Sequence, residues 1–328
     1  MKTVSVLVPC YNEELTLRLL YEELTTTVSN LQDYNWEFLF VDDGSKDITL
    51  GILQDLHESD SRVNYLSLSR NFGKENALLA GFDYVKGDCT IIMDADLQHP
   101  PSVFPLLLQR WEEGYDDVYG RRITRGKESW LRKSLSLWYY RLLQRSAKVD
   151  VMPNVGDFRL LDRKCINTLR QMREFGRYTK GMYSYIGYRK IGVDFETQER
   201  VAGDSKMSVR SLVSLAVQGF LSFTVAPLRW ATFLGLAVSL GAFVYMIFVL
   251  VKTLIVGDPV AGYPSLMIVL LFLGGIQLLS LGIIGEYLGK VFEEIKHRPV
   301  YIVQNYNGTA VLSAMDGAGK DANQENPS

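Results

Sequence analysis

Cysteine is scarce in this chain. Only Cys10, Cys89 and Cys165 occur in 328 residues, odd in number and far apart, which argues against a disulfide framework or a zinc site and fits a reducing compartment. Histidine is as sparse: His57, His99 and His297 form no metal-ligand spacing and read as structural or surface residues. An excess of one charge is missing too. With a formal balance of −2 there is no global signature of nucleic-acid binding. The amino terminus lacks a long hydrophobic run: the apolar stretch of "MKTVSVLVPCYNEE" is about half the length of a usual signal-peptide core, so it reads as a first β-strand.

What is present, up to about residue 125, is alternation. The runs "TVSVLV" (3–8), "WEFLFV" (36–41), "VNYLSL" (63–68), "CTIIMD" (89–94) and "DVYG" (117–120) predict strands, and roughly 13–30, 47–59, 74–85 and 101–113 predict helices. Strands separated by helices of this length imply right-handed crossovers and a mainly parallel α/β sheet with helices on both faces. Ligands of such sheets bind at the carboxyl ends of the strands, where the polar clusters fall.

From about 127 to 205 the chain is more polar and reads as an elaboration of the same domain, 1–205. Composition then changes. Residues 230–251 and 263–285 contain no charged residue, and each run reaches the ~20 residues that cross a bilayer. Lys206, Arg210 and Arg229 precede the pair and Lys290, Lys296 and Arg298 follow it, so the positive-inside rule places both flanks, and both termini, in the cytoplasm. The expected organisation is a juxtamembrane amphipathic region at 206–229, two transmembrane helices within 230–288, and a cytosolic tail at 289–328, disordered after about 308. The basic, aromatic stretch 129–145 fits a membrane-surface helix or ordinary packing. Small residues in "LGGIQLLSLGIIG" permit helix packing in a homo-oligomer, and Glu286 near the bilayer boundary is a candidate partner within one.

Acidic residues collect at the strand ends. "DAD" puts Asp94 and Asp96 at i and i+2 beyond a strand, a spacing that can hold a divalent ion through oxygen ligands while leaving positions for phosphate oxygens. "VDDGSKD" places Asp42 and Asp43 just past another strand, and "VPCYNEE" adds a carboxylate pair after the first. Each alone is ordinary turn or capping chemistry. Together on one rim, such like charges need a cation or hydrogen-bond donors.

These residues carry a family resemblance. "VSVLVPCYNEE", "VDDGSKD", "LSRNFGKENALLAGF", "DADLQHPP" and "GDFRLLDRK" resemble the inverting glycosyltransferases of family 2, and the ending "GEYLGKVFEEIKHRPVYIV" narrows the likeness to polyprenyl-phosphate glycosyltransferases, over residues 3–304. The resemblance implies a glycosyltransferase-A-like sheet plus a membrane hairpin. It further implies that Pro9, Tyr11, Glu13, Asp42, Asp43, Lys74 and Asp94 bind the nucleotide, with Asp42 accepting a hydrogen bond from the base. Asp94 and Asp96 would hold Mg²⁺ or Mn²⁺ against the diphosphate, Gln98 would contact donor sugar or acceptor phosphate, and Asp157 would be the catalytic carboxylate. Arg200 and Lys206 would meet the acceptor phosphate at the membrane.

A metal and Lys/Arg groups would stabilise the leaving diphosphate. Asp157 is either a general base or an orienting group, because a polyprenyl phosphate oxygen is already anionic near neutral pH. One of Arg70 and Lys74 is expected to face the phosphates. The function so implied is inverting transfer of a hexose, from UDP-glucose or UDP-N-acetylglucosamine in preference to GDP-mannose, to undecaprenyl phosphate for cell-envelope glycosylation. A processive synthase is disfavoured because the chain lacks a Gln-x-x-Arg-Trp motif. A catalytically silent scaffold for a partner flippase is the reading from another class.

Overall fold

The structure is a computed structural model that describes residues 1–123, 155–196, 226–256 and 262–311. The chain divides into two compact units, one formed by residues 1–144, 149–208 and 299–328, the other by 145–148 and 209–298. The stretches 129–145 and 207–223, together with Arg200 and Lys206, lie outside the described residues.

In the first unit, strands β1 (Lys2–Cys10), β2 (Tyr34–Asp42), β3 (Val63–Leu68) and β4 (Cys89–Ile92) alternate with helices α1 (Leu17–Ser29), α2 (Thr49–Ser59) and α3 (Lys74–Tyr84). A short 3₁₀ turn, Pro101–Val103, leads into α4 (Phe104–Glu112); then come β5 (Asp117–Arg122), β6 (Val155–Asp162), α5 (Arg163–Gln171), α6 (Thr179–Tyr185) and β7 (Lys190–Phe195). The four expected strands and helices before residue 113 are found within a few residues of their expected bounds. Helix α1 buries Leu17, Leu20, Leu24 and Val28, one stripe at helical spacing. On β1, Val4, Val6, Leu7 and Val8 are all buried, as expected of a strand covered on both faces. Helix α3 packs so closely on β1 that a Cβ on Gly81 would meet the Leu7 side chain at 2.2 Å.

The sheet runs β7-β5-β6-β4-β1-β2-β3, then β8 (Val303–Tyr306) and β9 (Thr309–Ala310). β1 pairs parallel with β2 and with β4, β2 with β3, and β5 with β7; β6 is antiparallel to both β4 and β5. Chain connections therefore diverge at β1 and β4, the switch point at which open α/β sheets take ligands. Residues 299–311, expected as part of a tail, belong to this unit: β8 adds antiparallel to β3, and β9 folds back on β8.

The second unit is a pair of long helices, α7 (Ala226–Val256) and α8 (Tyr263–Ile295), which contain the two uncharged runs. Among the described residues, Phe272–Ile295 is long and apolar enough to cross a membrane, at a mean hydropathy of 1.3. Large apolar side chains on both helices, among them Phe233, Leu240, Phe272 and Leu278, are exposed, the pattern of surface made for lipid.

Candidate active site

The carboxyl ends of β1 and β4, with the start of α3, surround a cleft of about 270 Å³ lined by Pro9, Cys10, Tyr11, Glu13, Asp43, Asn71, Gly73, Lys74, Ala77, Asp94, Ala95 and Asp96. Seven residues expected to touch nucleotide or metal are thereby brought together. Two left-handed residues adjoin its lining in sequence: Asn12 at φ 54° and Leu97 at φ 60°. Asparagine tolerates that conformation, and its Oδ1 accepts from the Lys46 N–H at 2.8 Å. Leucine does not adopt it readily, so Leu97 marks a strained turn of the kind held at functional sites.

The two aspartates of "VDD" have separate jobs. Asp42 is 1% exposed and does not line the cleft. Its Oδ1 accepts from the Ser45 N–H at 3.0 Å and its Oδ2 from the Ser67 hydroxyl at 3.1 Å, so it braces β2 against β3 beneath the site. Asp43 accepts from the Phe72 and Gly73 N–H groups, at 2.7 and 2.9 Å, and so fixes the turn that launches α3. Burial raises the Asp43 carboxyl, against the lowering effect of those two bonds. The turn after β2 requires Gly44, at φ 65°, because a Cβ there would meet the Arg70 backbone, ahead of α3, at 2.4 Å.

Lys74, the first residue of α3, joins the site's two halves. Its Nζ lies 2.6 Å from Asp94 Oδ1 and 2.8 Å from Asp157 Oδ2. Asp157 arrives by sheet register: β6 runs antiparallel to β4 with Arg159 opposite Ile92, and continuing two residues brings Asp157 opposite Asp94. Burial alone would raise the Asp157 carboxyl, but the charges of Lys74, Lys180 and Arg159 more than reverse this and hold it well below the usual carboxylate range. Burial would lower Lys74, and the charges of Asp157 and Asp94 instead raise it above its ordinary value. Of the two cations expected at the phosphates, Lys74 lines the cleft; Arg70 stacks over the Phe72 ring at 4.2 Å.

His99, read from sequence as structural or surface, falls in the acidic cluster. Ligand atoms of Asp94, Asp96 and His99 lie within 4.8 Å of one another, because the left-handed turn at Leu97 folds the loop back. The imidazole is buried and stacked on Phe158 at 4.9 Å; its Nδ1 accepts from the Asp94 N–H at 3.3 Å and its Nε2 lies 3.4 Å from Arg122 Nη2. Burial lowers its pKa, with the Asp94 charge opposing and Arg122 aiding, which favours the neutral ring. Two carboxylates form an oxygen donor set that fits a divalent ion, and His99 could add a third ligand where its single lone pair leaves the Asp94 N–H. Gln98 reaches the cluster through its backbone N–H, 3.2 Å from Asp96 Oδ1, and does not line the cleft.

Behind Asp157 lies a group of residues to which the sequence reading assigns no role. Arg159 forms a buried ion pair with Asp117 at 2.9 Å, and its guanidinium carbon sits 3.6 Å from the Tyr183 ring centroid. Glu75 Oε2 accepts from the Thr179 N–H at 2.7 Å, tying the start of α6 to the start of α3. Burial and the Asp157 charge raise the Glu75 carboxyl, against that bond. Only the alternation along β6 offered a sequence signal, since it puts Asp157 and Arg159 on one face.

An α/β sheet with an acidic, metal-competent cluster facing a lysine at its switch point can accept a metal-bound anionic ligand such as a diphosphate. Residues 5–170 match the glycosyl transferase family 2 model, and the chain belongs to that family: it is a glycosyltransferase. Residues 226–291 match the GtrB C-terminal hairpin. An uncharacterized glycosyltransferase from Synechocystis sp. is 43% identical over 94% of this chain and 97% of its own length. The bactoprenol glucosyl transferase of Shigella phage SfV is 40% identical over 92% of this chain and 98% of its own. Among solved structures, a glucosyl-3-phosphoglycerate synthase from Mycobacterium tuberculosis with Mn²⁺ and UDP aligns at a TM-score of 0.44 and 18% identity, covering 66% of this chain and 76% of that one.

Proposed function

We propose that this enzyme transfers a hexosyl group, with inversion, from a nucleotide sugar to a polyprenyl phosphate at the cytoplasmic membrane face, with UDP-glucose or UDP-N-acetylglucosamine as preferred donor. The observation that carries this reading is the Lys74 bridge between Asp94 and Asp157, which sets a metal-competent carboxylate and a buried carboxylate on two sides of one cation at the cleft. The GtrB hairpin match and the name of the bactoprenol glucosyl transferase relative support a membrane setting, a polyprenyl acceptor and a glucosyl donor.

In this reading Pro9, Tyr11 and Glu13 line the nucleoside end of the cleft, while Asp42, bonded to Ser45 and Ser67, lies beneath it. Asp94 and Asp96, with His99 beside them, would hold Mg²⁺ or Mn²⁺, which when bound neutralises charge developing on the departing diphosphate. Lys74 adds a mobile positive charge at the same place. An acceptor phosphate oxygen forms the new bond to the sugar's anomeric carbon as the bond to the nucleotide oxygen breaks, and the nucleoside diphosphate leaves with the electron pair. That oxygen is already anionic, and Asp157 is too acidic to take a proton near neutrality, so Asp157 orients the acceptor and offsets positive charge on the sugar. Arg200 and Lys206 would receive the acceptor phosphate.

Purified full-length enzyme with undecaprenyl phosphate, Mg²⁺ or Mn²⁺ and a panel of UDP-glucose, UDP-N-acetylglucosamine and GDP-mannose tests this. A radiolabelled, lipid-soluble product should form with one UDP-sugar; no product with any donor overturns the reading, and product from GDP-mannose alone overturns the donor assignment.

A further inference from the structure

We infer that Lys74 is a resident counter-cation of the metal cluster that competes with the ion for Asp94, so that divalent metal and nucleoside diphosphate bind as a linked pair. The inference rests on the function proposed above and assigns Lys74 a task beyond contact with the diphosphate.

Asp94 is shared by two arrangements. Its Oδ1 is 2.6 Å from the Lys74 ammonium, and the same carboxylate belongs to the group with Asp96 and His99 whose ligand atoms lie within 4.8 Å of one another. A divalent ion in that group would share one carboxylate with a monovalent cation. Two cations so placed repel, so the amine and the ion oppose each other's binding.

The amine is also placed to move. Its backbone is fixed, because Asp43 holds the Phe72 and Gly73 N–H groups immediately before it. The four-carbon stem beyond that point has rotatable bonds, and the side chain is 41% exposed and lines the cleft. Asp157, 6% exposed, keeps its oxygen 2.8 Å from the amine and serves as the pivot. Diphosphate oxygens entering the cleft give the ammonium a new acceptor and release Asp94 to the ion. Because linkage is reciprocal, nucleotide tightens metal binding and metal tightens nucleotide binding by the same factor. A merely structural Lys74, tethering β4 to β6, would make no such link.

Binding of Mn²⁺ to full-length protein in detergent, read from the spin-resonance signal of the free aqua ion with and without UDP, tests this without turnover. In wild type, UDP should tighten Mn²⁺ by about tenfold or more. Lys74→Met should bind Mn²⁺ alone about tenfold tighter than wild type and show a correspondingly smaller UDP enhancement, whereas Lys74→Arg, which keeps the charge, should stay close to wild type. A folded Lys74→Met protein that binds Mn²⁺ no tighter than wild type overturns the inference. So does a wild-type Mn²⁺ affinity indifferent to UDP, a result that needs no variant. Absence of Mn²⁺ binding even with UDP would overturn the metal assignment of the proposed function and this inference with it.

Discussion

Asp157 is ionised throughout the neutral range, since Lys74 at 2.8 Å, with Lys180 and Arg159 nearby, outweighs the burial that would raise its carboxyl. A folded-state pKa depressed below the ordinary 3.8 contributes stability that is complete above that value and is lost only as pH falls from it toward the folded value. Between about pH 5.5 and 8 neither stability nor turnover should therefore report Asp157. Asp157→Asn should lower kcat on the order of a hundredfold and leave the shape of the pH profile unchanged. An acidic limb near pH 6 to 7 that vanishes in this variant would instead make Asp157 a base. The Asp117–Arg159 pair behind it allows a second test at this scale. Both side chains are at most 4% exposed, so Asp117→Asn strands a buried guanidinium and should cost about 3–5 kcal/mol in thermal or denaturant unfolding. An apolar replacement of both partners should recover most of that loss.

Strand β8 shows what an element adds. It enters the sheet after both long helices and pairs with β3, where the Asn307 side chain accepts from the Tyr65 N–H at 2.8 Å. The Tyr301 hydroxyl bonds Asp83, which is also held by Arg173 at 2.7 Å. Asn307 at φ 48° and Gly308 at φ 80° form the two-residue turn from β8 to β9, a pairing suited to the twist of a hairpin. Gly308→Val should cost about 1–2 kcal/mol of thermal stability through that left-handed turn. Ending the chain after Arg298 should expose the β3 edge, loosen the Ser67 bond to Asp42 and shrink the stabilisation that UDP confers in a thermal-shift measurement. The helices and strands before residue 123 were legible because their periodicities are local. β8 was not, for "VQNY" is short and polar and its partner lies 242 residues earlier at the Asn307–Tyr65 bond.

The whole molecule joins a catalytic unit to a helical pair, and the chain passes from one to the other before returning at residue 299 to the sheet. We propose that both long helices cross the membrane, which would put the link at 257–262 outside the cytoplasm. In cells, Asp258→Cys should react with a membrane-impermeant maleimide, while Asn323→Cys should react only after permeabilisation; equal labelling of both would overturn the topology. Background from the native thiols should be low, because Cys10, Cys89 and Cys165 are all buried and burial raises each thiol. Sequence alone determined the parallel core, the acidic strand ends and the paired uncharged runs, since strand patterning, turn chemistry and hydrophobic length act over a few neighbouring residues. Tertiary structure decided which carboxylates meet. It sent Asp43 to the cleft and Asp42 beneath it, curled His99 onto the "DAD" loop through a left-handed Leu97, and brought Lys74 between Asp94 and Asp157. Those outcomes depend on the register of β6 against β4 and the packing of α3 on β1, long-range contacts that no local window of sequence contains.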